Sequence, residues 1–182
     1  AYPHLARAGL AYYHFCQAQD DALLRPVGLV QSLALALANS YPAYALVLAA
    51  IGNSHPEIRV LPRVAHGPGA EEAVVQIAAL DAGALPARSA FLYLVAEPLA
   101  ALAQAGASGP ILVLVDALDE ALDIDPRDNI AALLGEIARD PGGLPARVRF
   151  LVTARPDPRI VELLGPPALR LDGDAPPARR DA

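Results

Sequence analysis

The sequence predicts an α/β fold with a mostly parallel sheet, and three observations lead to this prediction. Hydrophobic residues make up 54% of the 182 residues, enough to build the core of one domain. The unbroken apolar run ILVLV at 111–115 is typical of a strand covered by helices on both faces. Strand-like and helix-like segments alternate through the second half of the chain, as they do in parallel sheets.

The first half of the chain is predicted to hold one buried strand followed mainly by helices. The aromatic run LAYYHFC at 10–16 favours the strand. Frequent prolines and glycines indicate an irregular surface excursion over 52–69. Apolar residues at helical spacing predict helices over 26–39, 42–51, 71–80 and 90–105. Pro98 is expected to kink or restart the last of these.

The second half is predicted to supply the remaining strands of the sheet. Short apolar runs flanked by breakers predict strands at 111–115, 148–153 and 168–171. Helix-period segments with start and stop signals predict helices at 128–139 and 158–164. The Pro-rich tail, 173–182, is linker-like.

Composition excludes several function classes. A net charge of −6 without a basic stripe argues against nucleic-acid and membrane partners. The single cysteine, Cys16, excludes an internal disulfide framework and favours a reducing compartment, so the expected location is cytoplasmic. All 14 basic residues are Arg. The chain therefore cannot use a lysine as a Schiff base, a general base or a phosphate ligand.

The most informative segment is ILVLVDALDE at 111–120. Ligands of open parallel sheets bind beyond the carboxyl ends of the strands, where Asp116 would stand. Asp119 and Glu120 follow in the loop that leaves the strand. An apolar strand that ends in Asp, with further acids behind it, is the layout of a Walker B segment. The alternative is that these acids cap the next helix or face solvent.

A second signal follows the next strand, in RFLVTARPDPRI at 149–160. Thr153 and Arg155 leave the carboxyl end of that strand, at the same edge as Asp116 if the two strands are parallel neighbours. A hydroxyl and a guanidinium at this edge can sense or stabilise a terminal phosphate. The alternative is that Arg155 only pairs with a nearby carboxylate, Asp157 or Asp119.

Together, LVLVDALDEALD and RFLVTARPDP resemble the Walker B and sensor regions of NACHT-type P-loop NTPases of the STAND class. The chain is most similar to the bacterial NACHT and nephrocystin-type N-terminal modules, and LAYYHFC resembles their second strand. The resemblance implies a P-loop NTPase-like three-layer sandwich around a mostly parallel sheet. It also implies a signal-transduction switch that binds and hydrolyses ATP or GTP with Mg²⁺.

The resemblance assigns a role to each of the five residues. Asp116 would direct Mg²⁺, Asp119 or Glu120 would prepare the hydrolytic water, and Thr153 with Arg155 would sense the phosphate. Expected partners are the nucleotide, flanking sensor or repeat domains, and further copies of the full-length protein.

One departure from the family is large: the chain has no G-x-x-x-x-G-K-[ST] phosphate loop. We interpret 1–172 as a partial NACHT-like domain whose first strand and phosphate loop are missing. Residues 1–8 would end the helix after that loop, and 40–105 would form a helical and irregular insertion. The segment by itself is expected to be inactive. The alternative is a non-catalytic, NTPase-like interaction scaffold, and a phosphate loop just upstream in the parent protein would argue against it.

Overall fold

Two separate sheets and the helices between them form the part of the chain that the structure describes. This structure is a computed structural model, and it describes residues 9–66, 73–123, 125 and 128–165. The strands are β1 (Leu10–Phe15), β2 (Arg59–His66), β3 (Ala73–Asp81), β4 (Ile111–Asp116) and β5 (Val148–Val152). The predicted helix end at 1–8, the strand at 168–171 and the tail at 173–182 lie outside the described residues.

Most of the predicted helices are confirmed, with small shifts of their ends. The helices are α1 (Asp21–Leu24), α2 (Pro26–Ser40), α3 (Pro42–Ser54), α4 (Ala87–Phe91), α5 (Glu97–Gln104), α6 (Ile130–Arg139) and α7 (Pro158–Leu164). Proline occupies the first turn of α2, α3 and α7, where its missing N–H has no helical partner to lose. Asn129 caps α6 by accepting from the Ala132 N–H, and the helix begins at Ile130, two residues later than predicted.

The larger sheet is parallel throughout, in the order β1–β4–β5, which confirms an α/β fold with a mostly parallel sheet. Residues that pair in a parallel ladder project to the same side, and successive residues alternate between sides. Val113 and Val115 of β4, which are 1% and 0% exposed, pair with Tyr12 and His14 of β1 on the side that the helices cover.

The opposite side of this sheet is open in the described part of the chain, which differs from the prediction of strands covered on both faces. Tyr13, Phe15 and Leu151 are 49%, 43% and 45% exposed. Leu114 lies between Tyr13 and Leu151 in the ladder and is only partly buried. We call the surface formed by Tyr13, Phe15, Leu114 and Leu151 the open face.

Helix α2 explains why the helical layer is so apolar. It contacts β1 of the parallel sheet on one side and β3 of the second sheet on another. Leu29, Val30, Leu33, Ala34 and Leu37 are all at most 2% exposed. A helix that packs against neighbours on several sides needs an apolar surface nearly all round, and the sequence of α2 supplies it.

The second sheet is an antiparallel pair, β2 and β3, and here two predictions were wrong. The interval 52–69 contains the strand Arg59–His66, and the described part of the predicted helix 71–80, from residue 73 onward, belongs to a strand. Pro62 is tolerated within β2 because it lies at a register shift, where a ladder hydrogen bond is already interrupted. The hairpin packs against α2 and α3.

Helices α4 and α5 join through a single π-type turn, Leu92–Ala96. Pro98 follows directly, in the first turn of α5. Because proline has no N–H and crowds the preceding turn, the wider turn accommodates it. One continuous helical path therefore widens locally before Pro98, where the prediction expected a kink or a restart.

Candidate functional site

The polar residues predicted to act together lie at one edge of the parallel sheet. Asp116 is the last residue of β4, and Thr153 directly follows β5. The two strands are parallel neighbours, so both residues leave the sheet at its carboxyl edge. The Thr153 N–H donates to the Val115 carbonyl at 2.9 Å, and the Leu118 N–H donates to the Thr153 carbonyl at 2.9 Å. These bonds hold the two outgoing loops together. We call this arrangement the acidic edge; its members are Asp116, Asp119, Glu120, Thr153 and Arg155.

The carboxylate of Asp116 is held from both sides. The Tyr13 hydroxyl donates to Oδ2 at 2.9 Å, and the Thr153 hydroxyl donates to Oδ1. The hydrogen bond from Thr153, helped by that from Tyr13, lowers the pKa of Asp116 below its ordinary value. The group is therefore a fixed anion at neutral pH, and its remaining lone pairs can accept a water or a cation.

The backbone after Asp116 is strained. Ala117 has φ 57° and ψ 44°, the left-handed region, and it is the only non-glycine residue with positive φ in the described ranges. Its N–H donates to the Thr153 hydroxyl oxygen at 3.1 Å. A left-handed alanine costs roughly 1 kcal/mol, and such outliers cluster at functional sites. The turn directs the chain away from the sheet immediately behind Asp116.

Asp119 and Glu120 are presented by a short 3₁₀ turn, Leu118–Ala121. Residues i and i+3 of a 3₁₀ helix are eclipsed, and accordingly Leu118 and Ala121 are both fully buried. This anchoring leaves the two acids between them at the rim, with side chains 13% and 25% exposed. The pattern apolar-acid-acid-small thus forms the turn and leaves its acids partly exposed at the rim.

Arg155 lies over these two acids. Its Nη2 is 2.7 Å from Glu120 Oε1, its Nε is 3.5 Å from Asp119 Oδ2, and its backbone N–H donates to Asp119 Oδ1 at 3.0 Å. The Arg155 side chain itself is 79% exposed. Pairing with Asp119, one of the alternatives considered, is therefore present. Asp157 instead caps α7 through the Arg159 N–H.

A second cation fixes the outer part of the same region. Arg159 pairs with Asp157 at 2.8 Å and with Asp123 at 2.9 Å. This contact joins the first turn of α7 to the loop after β4. It lies outside the acidic edge and offers a matched comparison for Arg155.

Sequence reasoning missed Tyr13. Its hydroxyl reaches Asp116 across 103 positions of sequence, because Tyr13 pairs with Leu114 in the ladder and Phe15 pairs with Asp116. Tyr13 projects from the open face. Its ladder partner Leu114 lies two residues before Asp116, on the same side of the sheet. The alternation of LAYYHFC contains the signal, but only the register between β1 and β4 identifies the partner.

The described residues contain no group of three or more His, Cys, Asp or Glu side chains that could hold a metal ion by themselves. Mg²⁺ is commonly bound through one or two carboxylates, with water and phosphate as the other ligands, and Asp116 fits that requirement as an ionised, oriented carboxylate. Cys16 is fully buried, and burial raises the pKa of its thiol to about 12. The thiol is protonated at neutral pH and therefore a poor nucleophile.

Neither a scan against protein-family models nor searches of curated proteins and of solved structures found a match for this chain. The strand order is therefore known from the structure alone. None of the helices that the structure describes has the combination of length and apolar character needed to cross a bilayer.

Proposed function

We propose that this segment is the Mg²⁺-facing and phosphate-facing part of a nucleotide-dependent switch that hydrolyses ATP or GTP, with the layout of a P-loop NTPase of the NACHT kind. One observation carries the proposal. Five residues chosen from two motifs more than 30 positions apart converge on one edge of the parallel sheet, at the carboxyl ends of neighbouring strands. Ligands of open parallel sheets bind at such an edge.

Each residue has a role that its contacts allow. Asp116, oriented by two hydroxyl donors, would hold the cation directly or through water. When bound, Mg²⁺ would neutralise charge on the phosphates. Asp119 or Glu120 would orient and deprotonate the attacking water. Arg155 and Thr153 would face the terminal phosphate, where a guanidinium stabilises developing charge.

The strand order β1–β4–β5 supports the same layout. The strand that carries the Walker B-like segment lies between its two parallel neighbours, and β5 has a single hydrogen-bonded neighbour among the described residues. The missing first strand that the resemblance implies would pair with this free side of β5. The phosphate loop that follows that strand would then face the acidic edge. Flanking sensor or repeat domains and self-association belong to the same proposal for the full-length protein.

The test is a substitution of Asp116 in the full-length protein. Asp116→Ala is expected to lower Mg²⁺-dependent hydrolysis of ATP or GTP on the order of 100-fold or more, because the oriented anion is lost. Asp123→Ala, which alters an exposed carboxylate outside the edge, should leave turnover within about twofold of wild type, a change of roughly 0.4 kcal/mol. Wild-type turnover in Asp116→Ala would refute the assignment.

The 182-residue segment alone provides a second test. Without a phosphate loop it should show no measurable ATP binding by calorimetry. Micromolar affinity would reveal a phosphate site other than the one proposed.

The open face favours a second candidate, a non-catalytic interaction scaffold. Two aromatic rings and Leu151, each more than 40% exposed on one side of a sheet, are the kind of surface that partner domains cover. An NTPase-like sheet without nucleotide chemistry would explain that surface equally well. Unchanged signalling by a full-length Asp116→Ala variant would favour this candidate.

A further inference from the structure

The two carboxylates proposed to act on the water already have a cation as their partner. Arg155 contacts both Asp119 and Glu120, and its side chain is far more exposed than that of either acid. Its backbone N–H also binds Asp119, so the residue is tethered at its main chain while its side chain extends into solvent over the acids.

This arrangement conflicts with the role of Arg155 at a phosphate. A guanidinium that forms a forked contact with carboxylates has fewer donors left for a second anion. Glu120, while paired with Arg155, has one oxygen engaged at 2.7 Å. The contact therefore competes with both partners that the proposed function requires: it neutralises Asp119 and Glu120 beside a cation held by Asp116, and it engages the guanidinium that would face the phosphate.

We propose that Arg155 is a latch: in the absence of ligand it covers Asp119 and Glu120, and a ligand that combines a divalent cation with a polyphosphate opens the site by exchanging both partners at once. This inference rests on the proposed function and concerns the regulation of that same site. A cation held by Asp116 replaces Arg155 as the counter-charge of the neighbouring acids, and the phosphate replaces the acids as the partner of Arg155. The exposed side chain can make this exchange by rotating about its own bonds, because its main-chain tether to Asp119 is separate from the guanidinium.

Linkage makes the latch measurable with the cation alone. If Arg155 competes with a divalent cation on Asp116 as the counter-charge of these acids, removal of the guanidinium must tighten cation binding. Mn²⁺ is the probe, because it shares the preference of Mg²⁺ for carboxylate and water ligands and is followed by water-proton relaxation. We expect R155Q to bind Mn²⁺ about threefold to fivefold more tightly than wild type, the range that one exposed ion pair allows.

Arg159→Gln is the matched control. It removes the same charge four residues away, from a pair with Asp123 and Asp157 outside the acidic edge. R159Q should change the Mn²⁺ affinity less than twofold, because the partners of Arg159 lie outside the acidic edge and salt screens exposed charges that are not in contact. R155K keeps the charge but has no planar guanidinium to contact both acids at once. Its Mn²⁺ affinity should fall between those of wild type and R155Q.

The outcomes separate the latch from the proposed function. Equal Mn²⁺ affinities for wild type, R155K and R155Q, with binding lost in Asp116→Asn, would overturn the latch and leave the cation site intact. Tightening by R159Q as large as that by R155Q would also overturn it, because net charge alone would then explain the effect. Absence of Mn²⁺ binding to wild type and R155Q at millimolar concentration would overturn the proposed function and the latch with it.

Discussion

The two faces of the parallel sheet are built from alternate residues of the same strands, yet they differ in what surrounds them. On the covered face Ile111, Val113 and Val115 are at most 2% exposed. On the open face Tyr13 and Leu151 are more than 40% exposed. Strand propensity alone therefore does not explain both faces.

Stability and chemistry are therefore separated within one sheet. The covered face joins the strands to the helical layer and supplies buried apolar area. The open face and the carboxyl edge carry Tyr13, Asp116 and the acids behind them, with little burial to stabilise them. Substitutions on the two faces should consequently change different measurements.

The largest expected effect comes from a pair of substitutions that remove the same number of carbon atoms. Ile111→Ala, on the covered face at 2% exposure, should lower the free energy of unfolding by about 2–5 kcal/mol, because it leaves a cavity. Leu151→Ala, at 45% exposure on the open face, should lower it by about 0.5 kcal/mol or less. Urea denaturation of the chain measures both. Equal losses would show that the open face is covered in solution.

An intermediate effect is expected from the pH. His14 lies on the covered face, where Nε2 donates to the Leu23 carbonyl at 2.7 Å and Nδ1 faces the Tyr12 hydroxyl at 3.1 Å. Burial lowers the pKa of His14 below its ordinary 6.5, so the unfolded chain binds the proton more tightly. The contribution of His14 is complete above pH 6.5 and is lost as the pH falls below it, by at most about 1.4 kcal/mol per pH unit for one proton.

The measurement is the free energy of unfolding at pH 7.5 and pH 5.5 for wild type and His14→Gln. The variant should lose most of the difference between the two pH values, whatever its absolute stability. A pH dependence that is unchanged in the variant would place the titrating group elsewhere.

The smallest effect concerns the strained turn at the acidic edge. Ala117→Gly relieves the left-handed conformation and should raise the free energy of unfolding by about 0.5 kcal/mol, after the greater freedom of glycine in the unfolded chain is subtracted. Ala117→Val should lower it by about 1 kcal/mol or more. If Ala117→Val had the higher free energy of unfolding in urea denaturation, position 117 would not adopt this conformation in solution.

The acidic edge could be predicted from the sequence because its determinants are local. Each strand is a short apolar run, and the polar residues follow its end directly, so parallel pairing of β4 with β5 is enough to bring Asp116 and Thr153 together. The contact of Arg155 with Asp119 was foreseen as one alternative. Its contact with Glu120 and the role of Tyr13 required the register and the loop conformations.

The hairpin could not be predicted in the same way. AVVQIAALD at Ala73–Asp81 contains alanines that are compatible with a helix and β-branched residues that favour a strand. Pairing with β2 and packing against α2 and α3 decided between them. Pro62 made β2 look like a loop, because a tolerated bulge has no signature of its own in the sequence.

Local sequence patterns were sufficient to predict the α/β class, the positions of three parallel strands and the composition of the acidic edge, because alternation, breakers and strand ends act over a few residues. Three features depend on the tertiary structure: which side of the sheet is covered, which two segments pair as the hairpin, and which arginine lies over which acids. Those features depend on contacts between residues far apart in sequence, such as the hydrogen bond from Tyr13 to Asp116, and no local pattern predicts them.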